Sequence, residues 1–433
     1  MLKKILSPFQ NFIKIESLGG LLLILATLIA LFWANSPFSA SYFNLWKFRL
    51  GIITETYEFS KPLFLWINDG LMAIFFFLIG LEIKREVLIG ELNSVRKVAF
   101  PLFGAIGGML VPICVFLAFN QNSETELAWG IPMATDIAFS LAILNMLGNK
   151  VPMNLKIFLT AFAIVDDLGA VMVIALFYTG TIQISMLLTA FLILGLLYFL
   201  AYKGYYSKFL LTFSGIVVWF LFLKAGVHPT LAGILMAFCV PVRQTIKTPA
   251  FMGHFEEIYR DIQDARVLSK PVLSSGQLNQ LGRMEHFMVK FRSPLQSLEH
   301  NLHGWVAYFI VPIFALANAG ISLKDLGEID YVLAINITLA LLLGKGFGVS
   351  LVVYIAEKLK WLVVPGDIGQ RQIFGVSFLA GIGFTMAFFI ANLAFESSLY
   401  LNSAKIGILL GSGLSAMVGY CILATTKNRK AEA

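Results

Sequence analysis

Apolar runs long enough to cross a lipid bilayer recur along the whole chain, separated mostly by short polar connections. A spanning helix takes about 20 mostly apolar residues, and twelve segments qualify: 18–36, 62–81, 98–119, 128–148, 157–178, 183–202, 209–223, 226–242, 304–322, 332–356, 372–395 and 406–424. The pattern predicts an all-α integral membrane protein, a single twelve-helix bundle over 1–433. No cleavable signal peptide is expected, because the first apolar run is as long as a spanning helix and no small-residue cleavage site follows it. Two connections are long enough to carry structure of their own. In 37–61 the stretch FRLGIITETYEF at 48–59 is rich in β-branched and aromatic residues, which predicts a hairpin on the outer face. In 243–303 two helix-like pieces, near 251–268 and 276–292, are separated by Lys270-Pro271 and Ser274-Ser275-Gly276, as in an amphipathic insert outside the membrane between helices eight and nine.

Composition agrees: 58% of residues are hydrophobic and 13% charged, which excludes an ordinary soluble domain. The formal charge of +7 would suggest nucleic acid as a partner in a soluble chain. Here it sorts by side. Of the 32 Lys and Arg, 25 fall on the side that holds both termini, 6 (Lys47, Arg49, Lys61, Lys224, Lys324, Lys405) on the other, and Lys345 lies within a span. Positive charge near helix ends stays cytoplasmic, so both termini are expected there and no nucleic-acid partner is implied. Cys114, Cys239 and Cys421 all fall inside spans, as packing residues rather than a disulfide set.

Ionisable residues inside the spans define the candidate chemistry. Asp136 sits within helix four, Asp166 and Asp167 at the centre of helix five, and Lys345 at the centre of helix ten. Each costs roughly 2.5–3.5 kcal/mol at mid-membrane, so the four unpaired would cost about 10–14 kcal/mol on the same scale. Four such groups at one depth predict one polar site. Adjacent helical residues point about 100° apart, so one aspartate of the doublet can face an aqueous funnel while the other faces a partner such as Lys345. Carboxylate, carbonyl, hydroxyl and water oxygens suit a small hard cation, and a carboxyl that binds either a cation or a proton provides a simple basis for exchange. Asp69 in helix two reads as a helix–helix hydrogen-bonding residue. Gly344, Gly346 and Gly348 read as close-packing positions.

Two spans are unsuited to continuous helix. Helix four has Gly130 and Pro132 before Thr135-Asp136, and helix eleven has Gly381-Ile382-Gly383 before Thr385. Breaks expose backbone ends of opposite partial charge, which Asp136 and Lys345 could neutralise. Spans three to five and ten to twelve start on opposite sides of the membrane, an inverted repeat with a faint echo of TDIAF (135–139) in TMAF (385–388).

The motifs LIGLEIKRE (78–86), ATDIAFSLAIL (134–144), AIVDDLGAV (163–171), GVHPTLAG (226–233), WVAYFIVPIFALANAG (305–320), LLGKGFGVS (342–350) and GIGFTMAFFIA (381–391) resemble, in order and over nearly the whole chain, the bacterial NhaA sodium/proton antiporter family. The resemblance implies a single transporter domain, not an enzyme and without a cofactor. It also implies broken, crossing fourth and eleventh helices and the family's inverted repeats. The implied activity is electrogenic exchange of cytoplasmic Na⁺ or Li⁺ for external protons across the bacterial inner membrane. Asp166 and Asp167 would be the cation and proton site, Thr135 and Asp136 would lie at the crossing, and Lys345 would pair with the doublet. Glu82, Lys84, Arg85, Glu86, Glu299 and His300 would match a cytoplasmic cluster linked to pH activation. The hairpin resembles the family's dimer contact, which implies a homodimer in membrane lipid. His228 reads as a packing residue at a helix start. Two departures, a longer insert within 243–303 and Gly304 where proline commonly precedes the Trp, bear on the pH response rather than on the ion site.

Two other functions fit less well. An intramembrane aspartyl protease needs its aspartates on separate helices, usually with a Gly-x-Gly-Asp motif, whereas here they are adjacent and the motif is absent. A sodium-coupled symporter of an organic solute would reveal itself by solute-dependent sodium uptake.

Overall fold

A computed structural model of the chain describes residues 2–53, 58–90, 94–243, 248–264, 275–322 and 329–426. Lipid offers no hydrogen-bond partners, so a spanning backbone must satisfy itself, and a helix does so within one segment. Among the described residues nine helices are long and apolar enough to span, or eleven if each of two bent helix pairs is one span. The pairs are Ser123–Met133 with Ile137–Met146, bent by 46°, and Gln370–Ala380 with Phe384–Ala394, bent by 42°. The twelve spans read from the sequence are reached only by adding the short apolar helix Thr230–Cys239. Phe32, Leu176 and Phe209 point outward, more than 70% exposed, as expected of side chains that lipid would solvate.

The bent pairs occupy the middle of the bundle. Phe378, Leu379, Ile382, Phe384, Phe388, Phe389 and Ile390 are all buried, as are Gln372, Ser377 and Thr385, so the pair Gln370–Ala380 and Phe384–Ala394 is covered on most sides, the mark of a central helix. Glycines let backbones close around it. A Cβ on Gly344 would come within 2.6 Å of Pro112 Cα, and one on Gly348 within 2.5 Å of Gly107 O, so the glycines near Lys345 serve packing. One turn, Ala340–Lys345, is wound as π-helix and ends on the lysine; such turns recur at functional positions.

Arg49–Ile53 and Glu58–Pro62 pair antiparallel, with Leu50 opposite Lys61 and Ile52 opposite Phe59. The second strand therefore starts at the end of the segment read as hairpin and runs past it; the tip, 54–57, lies outside the described residues. In 243–303, helices Thr248–Asp264 and Ser275–Phe291 stack Phe251 on Phe291, ring centroids 4.0 Å apart. The Lys270-Pro271 and Ser274 punctuation between them, Lys324 and residues 427–433 also lie outside the described residues.

Two sequence boundaries move. The ninth span starts at Pro294 rather than 304, because Ser293-Pro294 starts a helix whose polar face is accommodated inside the protein. The last helix, Ser398–Ala424, begins early enough to enclose Lys405, 7% exposed, which the charge count had placed in a connection.

Candidate ion site

The two breaks meet. The Asp136 amide donates to Ile382 O (2.6 Å), and Asp136 Oδ1 accepts from Phe139 N (3.0 Å), capping the helix Ile137–Met146. Oδ2 accepts from Thr385 N (3.1 Å) and Thr385 Oγ1 (2.5 Å) at the start of Phe384–Ala394. One carboxylate thus serves the positive ends of both Ile137–Met146 and Phe384–Ala394. Asp136 and Thr385 belong to the two segments that echo one another in sequence, and they touch. Thr135 Oγ1 donates to Ala380 O (3.0 Å), at the negative end of Gln370–Ala380, and Ser140 Oγ donates to Leu379 O (2.7 Å). Gly381 and Gly383 have negative φ. They are needed for closeness: a Cβ on Gly381 would lie 2.6 Å from Leu341 O.

Lys345 is wholly buried and donates to Asp166 Oδ2 (2.8 Å) and to Thr135 Oγ1. Its ammonium also lies 5.8 Å from the Phe162 ring centroid, a cation–π distance. Asp166 and Asp167 are 1% and 5% exposed on Met153–Phe177. Asp166 Oδ1 is buried without a hydrogen-bond partner. Asp167 makes no hydrogen bond or ion pair among the described residues. The structure therefore joins Asp166, Lys345 and Thr135 directly, links Asp136 to them through the crossing backbone, and leaves carboxylate oxygens available for a small cation. Ser412, unforeseen in the sequence, accepts from Gly383 N (3.3 Å) and Phe384 N (3.2 Å) at the second break. An apolar helix with a serine on one face gives no signal for that role.

Toward the end of Met72–Leu88 the second polar group assembles. Arg85 Nη2 meets Glu86 Oε1 at 2.9 Å, and Arg85 Nε meets Glu299 Oε1 at 3.3 Å. His300, expected here, is exposed. The histidine that faces the group is His303, Nδ1 3.7 Å from Glu82 Oε1. It stands four residues after Glu299, on the same helix face, while His300 is one residue on and turned away. Lys84 also leaves the group, since Nζ donates to Phe238 O (2.7 Å) and Val240 O (2.5 Å) and so closes the negative end of Thr230–Cys239. Asp69 differs from its sequence reading as well. Its carboxylate pairs with Lys61 (2.9 Å), and the bond to another helix uses its backbone oxygen, which accepts from Trp219 Nε1 (2.9 Å). His228 packs edge-on to Phe389 and shares a hydrogen bond with Thr230.

At least nine membrane-length helices around a buried carboxylate–lysine site define a multi-pass membrane protein with ionisable groups at its centre. The profile of the family described as Na⁺/H⁺ antiporter 1 matches residues 10–423. The Na⁺/H⁺ antiporter NhaA of Oleidesulfovibrio alaskensis is 46% identical over 97% of this chain and 94% of its own. NhaA 1 of Saccharophagus degradans is 41% identical over 96% and 91%, and NhaA 2 of Syntrophotalea carbinolica 41% over 98% of both chains. The chain belongs to the NhaA Na⁺/H⁺ antiporter family, which comprises transporters rather than enzymes.

Proposed function

We propose that this protein exports cytoplasmic Na⁺, or Li⁺, in exchange for external protons by alternating access at the Asp166–Asp167 site. The supporting observation is the contrast within the doublet. Asp166 is held through one oxygen by Lys345 while its other oxygen has no partner, and Asp167 is unpaired among the described residues. Those oxygens are hard ligands suited to Na⁺ or Li⁺. A proton on either carboxyl removes the charge the cation needs, so the two ions exclude one another. Two carboxylates beside one ammonium allow more than one proton to replace one cation, the condition for net charge movement in each cycle. In this account each bent helix pair is one discontinuous span, fourth and eleventh of twelve, and Asp136 with Lys345 balances the exposed helix ends. The protein lies in the bacterial inner membrane with both termini cytoplasmic, and it dimerises through the 37–61 hairpin. The Glu82–Arg85–Glu299 group with His303 tunes transport to pH, because a histidine–carboxylate contact changes strength when either partner gains or loses a proton.

The test is proton flux in proteoliposomes holding a pH gradient. Adding Na⁺ or Li⁺ to the outside of acid-loaded vesicles should drive protons out, and K⁺ should not. Sodium uptake that moves no protons, or that depends on an organic solute, would replace this function with another.

A further inference from the structure

Three amides, those of Asn68 and Asn318 buried and that of Asn392 half-buried, stand in a row at the other end of the molecule from the Glu82–Arg85 group. Asn392 Nδ2 donates to Asn318 Oδ1 (2.6 Å); Asn318 Nδ2 donates to Asn68 Oδ1 (3.0 Å) and to Phe314 O (2.9 Å). The row is open at both ends: Asn68 Nδ2 and Asn392 Oδ1 are buried with no hydrogen-bond partner. Asn68 and Glu82 lie on one continuous helical run, Leu63–Leu88, separated by about 20 Å at 1.5 Å per residue.

Two of the three amides are fixed to a braced frame. Asn318 ends the helix Val311–Asn318, whose exit is held by Tyr42 and Asn35. Tyr42 Oη donates to Leu316 O (2.7 Å) and accepts from Gly320 N (3.1 Å), and Asn35 Nδ2 donates to Ile321 O (2.9 Å). Asn68 lies in the π-helical turn Trp66–Leu71, which is secured by the Lys61–Asp69 pair and the bond from Trp219. Asn392 differs, because it is carried by Phe384–Ala394, the half-helix that starts at the crossing. Thr385, Phe389 and Asn392 recur at i, i+4 and i+7, one face of that helix. Thr385 holds Asp136 at the ion site. Phe389, 1% exposed, fills the next turn against Phe76 (5.5 Å), His228 (5.2 Å) and Phe314 (6.4 Å between ring centroids). Asn392 closes the row above it.

Packing alone would be served better by leucines, because a buried amide with unmet groups is unfavourable. Separation of the half-helix from the frame would let water satisfy all three amides, including the two open ends. The closed form is thereby kept close in free energy to a hydrated open form, as a seal that must release in every cycle requires. We infer that the Asn68–Asn318–Asn392 row is a releasable latch, sealing the path from the ion site to the face opposite the Glu82–Arg85 group while Phe389 plugs that path beneath it. The inference rests on the sodium–proton exchange proposed above.

The test measures the sodium KM from each face, in right-side-out and inside-out vesicles, for wild type, Asn392→Leu, Asn318→Leu and the double variant. Losing one hydrogen bond shifts a two-state equilibrium about five-fold. Each single variant should therefore lower the latch-face KM relative to the opposite-face KM by about that factor. The double variant should shift it no further than the stronger single one, since both remove the same link. An unchanged KM ratio in active variants, or additive shifts, would overturn the latch. So would failure of the single variants to insert, because a link that opens in each turnover cannot be indispensable to folding. If wild type itself moves no protons with Na⁺, it is the exchange that fails.

Discussion

Lys345 donates to two oxygens at once, one on Asp166 and one on Thr135, so its substitutions separate charge compensation from proton carriage. Lys345→Arg keeps a charge at every working pH. Sodium-driven proton flux measured at two membrane potentials should therefore remain substantial if compensation is the role. It should become insensitive to potential, or stop, if the lysine must release a proton. Lys345→Ala leaves Asp166 buried and unpaired and should destabilise the protein by roughly 3–5 kcal/mol, read as melting temperature. An alanine variant with wild-type melting and flux would remove Lys345 from the site. The Asp166→Asn and Asp167→Asn variants should insert normally, yet neither should exchange, since an amide neither titrates nor carries the charge a cation needs. The four ionisable residues were legible in the sequence because charge at mid-membrane has few structural reasons to exist. His303 was not, because choosing between two histidines three residues apart requires knowing which face of the helix meets Glu82.

At the scale of elements, the two bends depend on Asp136, which caps the helix Ile137–Met146 and accepts twice from Thr385 across the crossing. Asp136→Ala should cost about 2–4 kcal/mol, one cap plus the lost cross-break hydrogen bonds. Asp136→Asn still accepts and should cost less. Equal melting of the two variants would mean that the crossing is held elsewhere. Tyr42 braces the end of Val311–Asn318 from outside the spans, and burial pushes its hydroxyl from 10.0 up to about 12. The bound form is the protonated one. The stabilisation is therefore complete below pH 10 and is lost as pH rises toward 12, a decline that Tyr42→Phe should lack in melting curves taken across that range. Gly130, Pro132, Gly381 and Gly383 marked where helix would fail, and the family resemblance implied that the two places cross, but the bonds that join them were not legible. Those bonds depend on Ser140 and Thr385, hydroxyls that look like ordinary residues of apolar helices until two segments some 240 to 250 positions apart are brought together.

Over the whole molecule, hydropathy made the bundle visible, since a run of apolar residues in lipid can be little else than helix. It was less informative where polar residues turn inward. Pro294 to His303 read as part of a soluble insert because Glu299 and His303 lower its hydropathy, yet they face Arg85 and Glu82. If protons and sodium share the aspartates, transport should decline toward acid pH as protons occupy the carboxyls, and added sodium should partly restore it. A rate insensitive to both would count against shared occupancy. The most direct measurement is proton release when sodium binds to the purified protein, followed with a pH indicator in weak buffer. Wild type should release protons on sodium addition, less as the starting pH rises and the aspartates are already ionised, and Asp167→Asn should release none. Sodium binding with no proton release at any pH, or release undiminished in Asp167→Asn, would contradict a site that sodium and protons occupy in turn.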